Sequence, residues 1–300
     1  MTLASCDSRK TAGENPFFTE WDTPHGVPPF DKILPEHFMP AFERGMSLHE
    51  AEIDAITSNK DEATFENTIL AYDNAGQMLA QTELVFGMLC AAETNDRMQA
   101  LQEQAMPLLA AHRDKIRLDD KLFVRVKEVY DRRAALGLDA EQMRLLQKTY
   151  DSFVRAGALL DAEQKARLKE INGQLSLTAV KFGNNILAEN NNFVLELKSD
   201  ELDGLPAGIR DAAREKAQQM GKGDKWVFTL HKPSLIPLLT YSTRRDLREK
   251  IYKAYLNRCN NGDEYDNKQL INDFIRLRTE KAHLLGYPSY AAYVVADEMA

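Results

Sequence analysis

The chain has 300 residues, of which 44% are hydrophobic, and its formal net charge is -8. This is enough apolar material for the core of one elongated domain or of two ordinary ones. Lysines and arginines are scattered among acidic residues instead of forming a basic stripe, which argues against nucleic-acid binding. No apolar run reaches the roughly 18 residues that a membrane-spanning helix needs.

The N-terminal residues Leu3-Ala4-Ser5-Cys6 resemble the bacterial lipobox, in which the cysteine carries lipid after signal cleavage. Only five residues precede Cys6, fewer than the apolar segment of roughly 7–15 residues that such a signal requires. Two interpretations remain open. In the first, residues 1–14 tether a periplasmic or envelope protein to a lipid on Cys6. In the second, they form a disordered tail of a cytoplasmic protein.

Helical periodicity predicts a mainly α fold from residue 15 onward. Prolines hold residues 24–29 extended, and a first helix is expected from about Pro35. Thr64 is a predicted N-cap of a second helix, which Gly76 interrupts. A third helix is predicted from about residue 96 to 116, with a kink at Pro107.

The first predicted helix contains the segment SLHEAEI, residues 47–53, which begins like the zinc-peptidase signature H-E-x-x-H. Two histidines four residues apart on a helix can bind one zinc ion, and the glutamate between them can activate water. Ile53 occupies the position of the second histidine and cannot bind metal. Apolar residues at steps of three and four place His49 on or beside an apolar stripe, so we predict that His49 is a packed or half-exposed residue of a helix and not a metal ligand.

The pentapeptide LDAEQ occurs twice, at residues 138–142 and 160–164. In both copies an aspartate is followed three residues later by a glutamine, the spacing of a capping box. We therefore predict two helix starts. The second helix is expected to be long, because apolar residues recur at helical spacing from Leu168 to Ile186.

One region breaks the helical pattern. The segments NFVLELKS (192–199) and KWVFTLHK (225–232) are rich in aromatic and β-branched residues and predict two short strands, with a helix at about 206–220 between them. This indicates a small hairpin-like α+β insert at 191–236. We expect a helical N-terminal domain at 15–190 before it and further helices at 237–300 after it.

The final segment, SYAAYVVADEMA, predicts a helix with Ser289 as its N-cap. It has no closing Gly, Asn or basic residue, so we expect the helix to continue to Met299 and to be cut there. Tyr293 and Val294 would then belong to an exposed apolar patch, which predicts self-association.

The residues show no local signature of catalysis. There is no G-x-S-x-G and no phosphate loop, and Cys6, Cys90 and Cys259 have no C-x-x-C spacing. Cys90 is expected to act as a small buried hydrophobe. His231 is either structural or facing a cleft.

The basic run of residues 244–250 is interpreted as a solvated helix face with an Arg245–Glu249 pair, in preference to a carboxylate-binding site. We therefore predict no catalytic and no metal-binding residue in this chain. Its substrate-binding residues are left unknown.

Seven segments in order resemble the N-terminal half of the bacterial peptidyl-dipeptidases, within the thimet-oligopeptidase-like zinc metallopeptidases that also include oligopeptidase A. The ending, with YAAY and ADEMA, is more similar to the peptidyl-dipeptidases. The resemblance covers residues 15 to 300, and its segments are NPFF, PPFDKILPEHFMPAFERGM, TFENTILAYDNAG, TNDRMQALQEQ, LGLDAEQMRLL, RDLREKIYKAY and LLGYPSYAAYVVADEMA.

The resemblance implies a helical, two-lobed fold around a channel that admits short peptides. It also implies a zinc ion in the full-length parent, held by an H-E-x-x-H helix and a later glutamate. In the family these residues lie beyond the part that this chain resembles, and His49-Glu50 is not at their position. The expectation is therefore a non-catalytic channel wall of a peptidyl-dipeptidase that releases C-terminal dipeptides, with no cofactor of its own.

Two alternatives remain. The first is an oligopeptidase A-type enzyme, which cleaves internal bonds and differs in how the carboxylate of the substrate is held. The second is a complete helical interaction protein without catalytic activity.

Overall fold

The computed structural model describes residues 14–299, so the lipobox-like segment with Cys6 lies outside the described residues. The chain forms two compact units. Of the described residues, the first comprises 14–177 and 278–299, and the second Thr178–Leu277. The predicted insert at 191–236 lies inside the second unit, and the predicted three-part division of residues 15–300 stays a prediction.

The fold is mainly α-helical, as predicted. A π-helical turn (Phe65–Leu70) precedes the second helix. The α-helices in chain order are α1 (Phe38–Ser58), α2 (Ala71–Asp73), α3 (Gln77–Ala92), α4 (Asp96–Arg117), α5 (Asp120–Asp131), α6 (Ala140–Ala156), α7 (Ala162–Asn192), α8 (Ala207–Gln219), α9 (Lys232–Tyr241), α10 (Arg245–Leu256), α11 (Lys268–Leu284) and α12 (Tyr290–Val295). Among residues 14–299, none of these helices is both long and apolar enough to cross a bilayer.

Side-chain caps begin the helices where the sequence predicts them. The backbone N–H of Gln142 donates to Asp139 Oδ1 at 2.8 Å, and the backbone N–H of Asp139 donates to Gln142 Oε1 at 3.1 Å. Asp161 and Gln164 make the same reciprocal pair at the start of α7. These bonds satisfy amides that a helix start leaves without an intrahelical acceptor.

Three helices differ from the sequence prediction. Two helices, α5 and α9, were not predicted; α9 has Pro233 in its first turn and Pro237 inside, and prolines normally indicate a break. The last helix does not continue to Met299 but ends at Val295. Beyond that point Asp297 forms an ion pair with Lys148 of α6, at 2.5 Å.

The core of the first unit depends on a close contact between α1 and α3. Phe38 and Phe42 of α1 pack against Phe86 of α3, with ring centroids 4.9 and 5.3 Å apart. Gly45 faces the backbone of Leu79, and a Cβ atom at Gly45 would lie 3.0 Å from the Leu79 Cα. The missing side chain at residue 45 therefore allows the two helix backbones to approach.

The second unit contains a small antiparallel sheet, as predicted, although its strands are shorter than expected. β1 (Leu195–Leu197) pairs with β2 (Trp226–Phe228), with Glu196 opposite Val227. Leu195, Leu197 and Phe228 are buried in one cluster with residues of α8, α9 and α10. Alternation of buried and exposed residues along β1 follows from the period of two in a strand.

Candidate functional site

The most unusual group of polar residues in the first unit lies where α1 meets α4. His49 is half-buried on α1, and its Nδ1 lies 3.0 Å from Nε2 of His112 on α4. His112 is buried, with 5% of its surface exposed. The segment SLHEAEI is thus part of a helix, as predicted, and His49 packs against another side chain of the fold.

The two glutamates of this segment are also engaged. Glu50 accepts from the ammonium of Lys115 at 2.8 Å, and its other oxygen lies 3.5 Å from His112 Nδ1. Glu52 accepts a hydrogen bond of 2.7 Å from the backbone N–H of Gly76. His49 Nδ1 and both carboxylates therefore have partners within the fold, which is the arrangement of a structural contact between helices.

Electrostatics at this contact favour neutral imidazoles. Burial, the largest cause, lowers the pKa of both His49 and His112 below its ordinary value, against the opposite effect of Glu50. The hydrogen bond from Lys115 keeps the pKa of Glu50 below its usual range. At neutral pH the group thus holds a carboxylate, an ammonium and two uncharged rings.

A catalytic zinc ion needs about three protein ligands and an open position. Among residues 14–299, no group of three or more His, Cys, Asp or Glu is arranged to hold a metal ion. The free thiols of Cys90, half-buried, and Cys259, buried, do not supply a nucleophile either. Burial raises the pKa of both thiols to about 11, which keeps them protonated at neutral pH.

His231 lies in the second unit, at the residue that precedes α9. Its side chain is exposed and lines a cavity of about 280 Å³, which is mostly apolar and bounded by α8 and β2. Lys216 lines the same cavity. Of the two interpretations of His231, the structure therefore agrees with a residue that faces a cleft.

The basic run at the start of α10 is a set of ion pairs, but not the predicted set. Arg244 binds Asp246 with two hydrogen bonds, of 3.0 and 2.8 Å. The close ion pair of Glu249 is with Lys253, at 2.5 Å, and Arg245 acts on Glu249 only through its charge, which helps to lower the pKa of Glu249. A glutamate four residues before a lysine is the more favourable orientation on a helix, because each charge then also suits the helix dipole.

The predicted apolar patch on α12 is partly covered. Tyr293 and Val294 are half-buried, and the neighbouring Val295 is exposed. The guanidinium of Arg155 lies 4.7 Å from the Tyr293 ring centroid, and Tyr287 packs against the same ring edge to face. Less apolar surface is exposed at α12 than the sequence predicted, and self-association stays a prediction.

Comparison with known proteins agrees with the resemblance seen in the sequence. Residues 238–300 match Peptidase family M3. The chain is 37% identical over 287 residues to the dipeptidyl carboxypeptidase of Escherichia coli (strain K12), and 35% identical over the same length to that of Salmonella typhimurium. It is 27% identical over 283 residues to Oligopeptidase A of Escherichia coli.

These alignments cover nearly all of this chain but less than half of each relative. The match to the Escherichia coli dipeptidyl carboxypeptidase takes in 95% of the chain and 42% of the relative. For Oligopeptidase A of the same organism the shares are 93% and 42%. The expected family resemblance is confirmed, and the chain spans about two fifths of the length of these relatives.

Proposed function

We propose that this chain, a member of peptidase family M3, is the N-terminal, non-catalytic portion of a zinc-dependent peptidyl-dipeptidase and forms part of the wall of its substrate channel. The observation that carries the proposal is the 37% identity to a dipeptidyl carboxypeptidase, which extends over 95% of the chain but only 42% of the relative. The substrates would be short unfolded peptides, because a narrow channel excludes folded domains.

The residues of this chain do not fit a catalytic zinc ion. The sequence contains no H-E-x-x-H, and no group of three metal-binding side chains is present within residues 14–299. The nearest approach to the motif is His49-Glu50, whose side chains contact His112 and Lys115. We therefore assign the zinc chemistry to the part of the full-length relatives that this chain does not match.

The test compares this chain with a chimera in which it replaces the matching part of the Escherichia coli dipeptidyl carboxypeptidase. Zinc content is measured by elemental analysis, and release of C-terminal dipeptides is measured on a short N-blocked peptide. The chimera is expected to bind one zinc ion and to cleave, and the isolated chain to do neither. Zinc-dependent cleavage by the isolated chain would contradict the proposal.

The oligopeptidase A alternative rests on the 27% identity to that enzyme. A peptide amidated at its C-terminus separates the two activities, because release of C-terminal dipeptides depends on recognition of a free carboxylate. Loss of cleavage on amidation supports the dipeptidase. Retained internal cleavage supports the oligopeptidase, and a chimera that folds but is inactive on both peptides favours an interaction protein.

Two further proposals concern the ends of the chain. Self-association through the surface around Tyr293 and Val294 is tested by sedimentation velocity over a range of concentrations, and a strictly monomeric protein contradicts it.

Lipid attachment at Cys6, with an envelope location, is tested by intact mass and membrane fractionation of the protein and of Cys6→Ser. An unmodified cysteine in a cytoplasmic protein supports the alternative.

A further inference from the structure

The contact between His49 and His112 joins two helices that are distant in sequence. The two residues are 63 positions apart, and their facing nitrogens are at hydrogen-bond distance, 3.0 Å. The ring centroids lie 5.0 Å apart. Because an imidazole nitrogen donates only when protonated, one nitrogen of the facing pair must carry a proton and the other must not.

This requirement limits how many protons the pair can hold. Two neutral rings share one bridging proton, and an imidazolium can still donate to a neutral imidazole. If both rings become cations, two N–H groups point at each other and the bridge is lost. The contact between α1 and α4 is therefore compatible with two neutral rings or one cation, and incompatible with two cations.

The rings have little freedom to turn away from each other. His112 has 3% of its side chain exposed, and its buried Nδ1 lies 3.5 Å from a carboxylate oxygen of Glu50. The ring of His49 lies against Gly76, where an added Cβ would come within 3.0 Å of His49 Nδ1. Gly76 itself is held through its N–H by Glu52. His112 is buried and His49 half-buried, so relief of charge repulsion requires the His49 ring to leave its contact with Gly76 or the helices to move apart.

Charged groups face the pair from three helices. On α1 these are Glu50 and Glu52, and on α4 they are Lys115 and Arg113; Glu83 approaches from α3. Each acid already has a partner: Glu50 binds Lys115, Glu52 binds the Gly76 N–H, and Glu83 binds Arg113 at 3.1 Å. The acids raise the pKa of the rings, but their charges are shared with these partners, and burial still lowers the pKa of both rings overall.

We propose that the His49–His112 pair is a pH-sensitive latch, which holds α4 against α1 when the rings share one bridging proton and releases it when both rings become protonated. A cavity of about 410 Å³ adjoins the pair and is lined by Glu50, Lys115 and His112. His112 can take up its proton from this cavity, which it lines, and release then lets water enter between α1 and α4. The structural consequence is a local loosening of the first unit at mildly acidic pH.

The direction of the pH dependence follows from linkage. The pKa of each ring is lowered in the folded chain, chiefly by burial, from the ordinary value of 6.5. The unfolded chain therefore binds more protons just below pH 6.5, and stability is lost as the pH falls from 6.5 toward the lowered folded pKa. Above pH 6.5 the contribution of the latch is complete.

The experiment measures urea unfolding of the full chain between pH 8 and pH 5, together with His49→Gln and His112→Gln. Glutamine keeps a polar side chain but does not titrate. As the pH falls below 6.5, the unfolding equilibrium constant of the native chain is expected to rise more steeply than that of either variant. The difference is at most about tenfold per pH unit, because each variant lacks one of the two protons that the native chain takes up on unfolding. His231→Gln, at an exposed histidine, is the matched control and is expected to follow the native curve.

Histidine NMR provides a test that does not depend on how well the variants fold. In the native chain the rings of His49 and His112 are expected to titrate below the ordinary histidine value of 6.5. Amide protection factors in α4, which correct exchange for its intrinsic pH dependence, are expected to fall as the pH falls over the same range. Ordinary titration of both rings, or equal pH slopes for the native chain and His49→Gln, would overturn the latch.

Discussion

At the scale of single residues, the positions that matter most in the first unit are those where helices come unusually close. Gly45 is such a position, since a Cβ there would lie 3.0 Å from the Cα of Leu79. A backbone atom cannot move aside as the end of a flexible side chain can. The small volume of Gly45 is therefore needed for packing, although glycine lowers the intrinsic stability of a helix.

We predict that Gly45→Ala lowers the free energy of unfolding. Overpacking a core typically costs about 1–3 kcal/mol, which exceeds the gain of about 1 kcal/mol that alanine brings to a helix interior. Gly87→Ala in α3 is the matched control, because nothing lies within 4 Å of a Cβ built there. Thermal and urea unfolding should show a loss of stability for Gly45→Ala and a gain for Gly87→Ala. If both variants were stabilised equally, α1 and α3 would be able to move apart without cost, which contradicts the prediction.

The two histidines of the latch illustrate what a sequence can reveal about single residues. The periodicity of α1 was sufficient to predict that His49 is a packed or half-exposed residue of a helix. Nothing local to His49 indicated its partner, because His112 is 63 residues away and lies on another helix. The partner of His49 therefore emerges only from the tertiary structure.

At the scale of elements, prediction succeeded where a short segment determines its own structure. Capping boxes at Asp139 and Asp161 place both ends of the hydrogen bonds within four residues. The strands were recognised for a similar local reason, their β-branched and aromatic composition. By contrast, α9 forms despite two prolines, because Leu235 and Leu238 are buried in the core of the second unit. Tertiary packing there overrides a local signal.

Arg125 of α5 is the clearest case of an element fixed by a distant side chain. It is buried, and its guanidinium donates to the carbonyls of Asn59 and Asp61, at 3.0 and 3.2 Å, and to Asn67 Oδ1, at 3.1 Å. Asn67 in turn accepts from the N–H of Thr64, the N-cap of the π-helical turn. One side chain of α5 therefore holds the segment that leads from α1 into this turn.

We predict that Arg125→Met destabilises the chain by about 3 kcal/mol, since two backbone carbonyls and an amide oxygen lose a charged donor. Arg125→Lys is expected to rescue only part of this loss, because an ammonium cannot reproduce the planar fork. Lys127→Met on the same helix removes an exposed ion pair with Asp131 and serves as the control. Urea unfolding should show the largest loss of stability for Arg125→Met, a smaller loss for Arg125→Lys and the smallest for Lys127→Met. An Arg125→Met variant as stable as the native chain would contradict the role assigned to Arg125.

At the scale of the whole molecule, the first unit is completed by residues far apart in the chain. Residues 278–299 belong to the same compact unit as residues 14–177. Arg167 of α7 binds Glu280 of α11 through two hydrogen bonds, of 2.6 and 2.9 Å. Arg155 of α6 donates to the carbonyl of Tyr293 at 2.8 Å. The segment of residues 278–299 therefore stabilises a unit whose other residues, 14–177, come from the N-terminal part of the chain.

Asn172 links three elements of this unit. Its amide donates to Asp114 of α4 at 2.8 Å and accepts from Lys281 of α11 at 2.7 Å. Burial raises the pKa of Asp114 and lowers the pKa of Lys281, so each charged group depends on a polar partner. The amide side chain is suited to this position because it is a donor toward a carboxylate and an acceptor toward an ammonium at once.

We predict that Asn172→Leu lowers the free energy of unfolding by about 2–3 kcal/mol, because both half-buried charges lose a hydrogen bond without gaining another partner. Asn172→Asp is expected to keep the bond to Lys281 but to repel Asp114, so its deficit should shrink as the pH falls and the carboxyls become protonated. Lys148→Ala, which removes an exposed ion pair with Asp297, is expected to change little. Urea unfolding at pH 7 and pH 5 separates these outcomes. If Asn172→Leu were as stable as the native chain, the segment at 278–299 would be held by its apolar contacts and surface ion pairs alone.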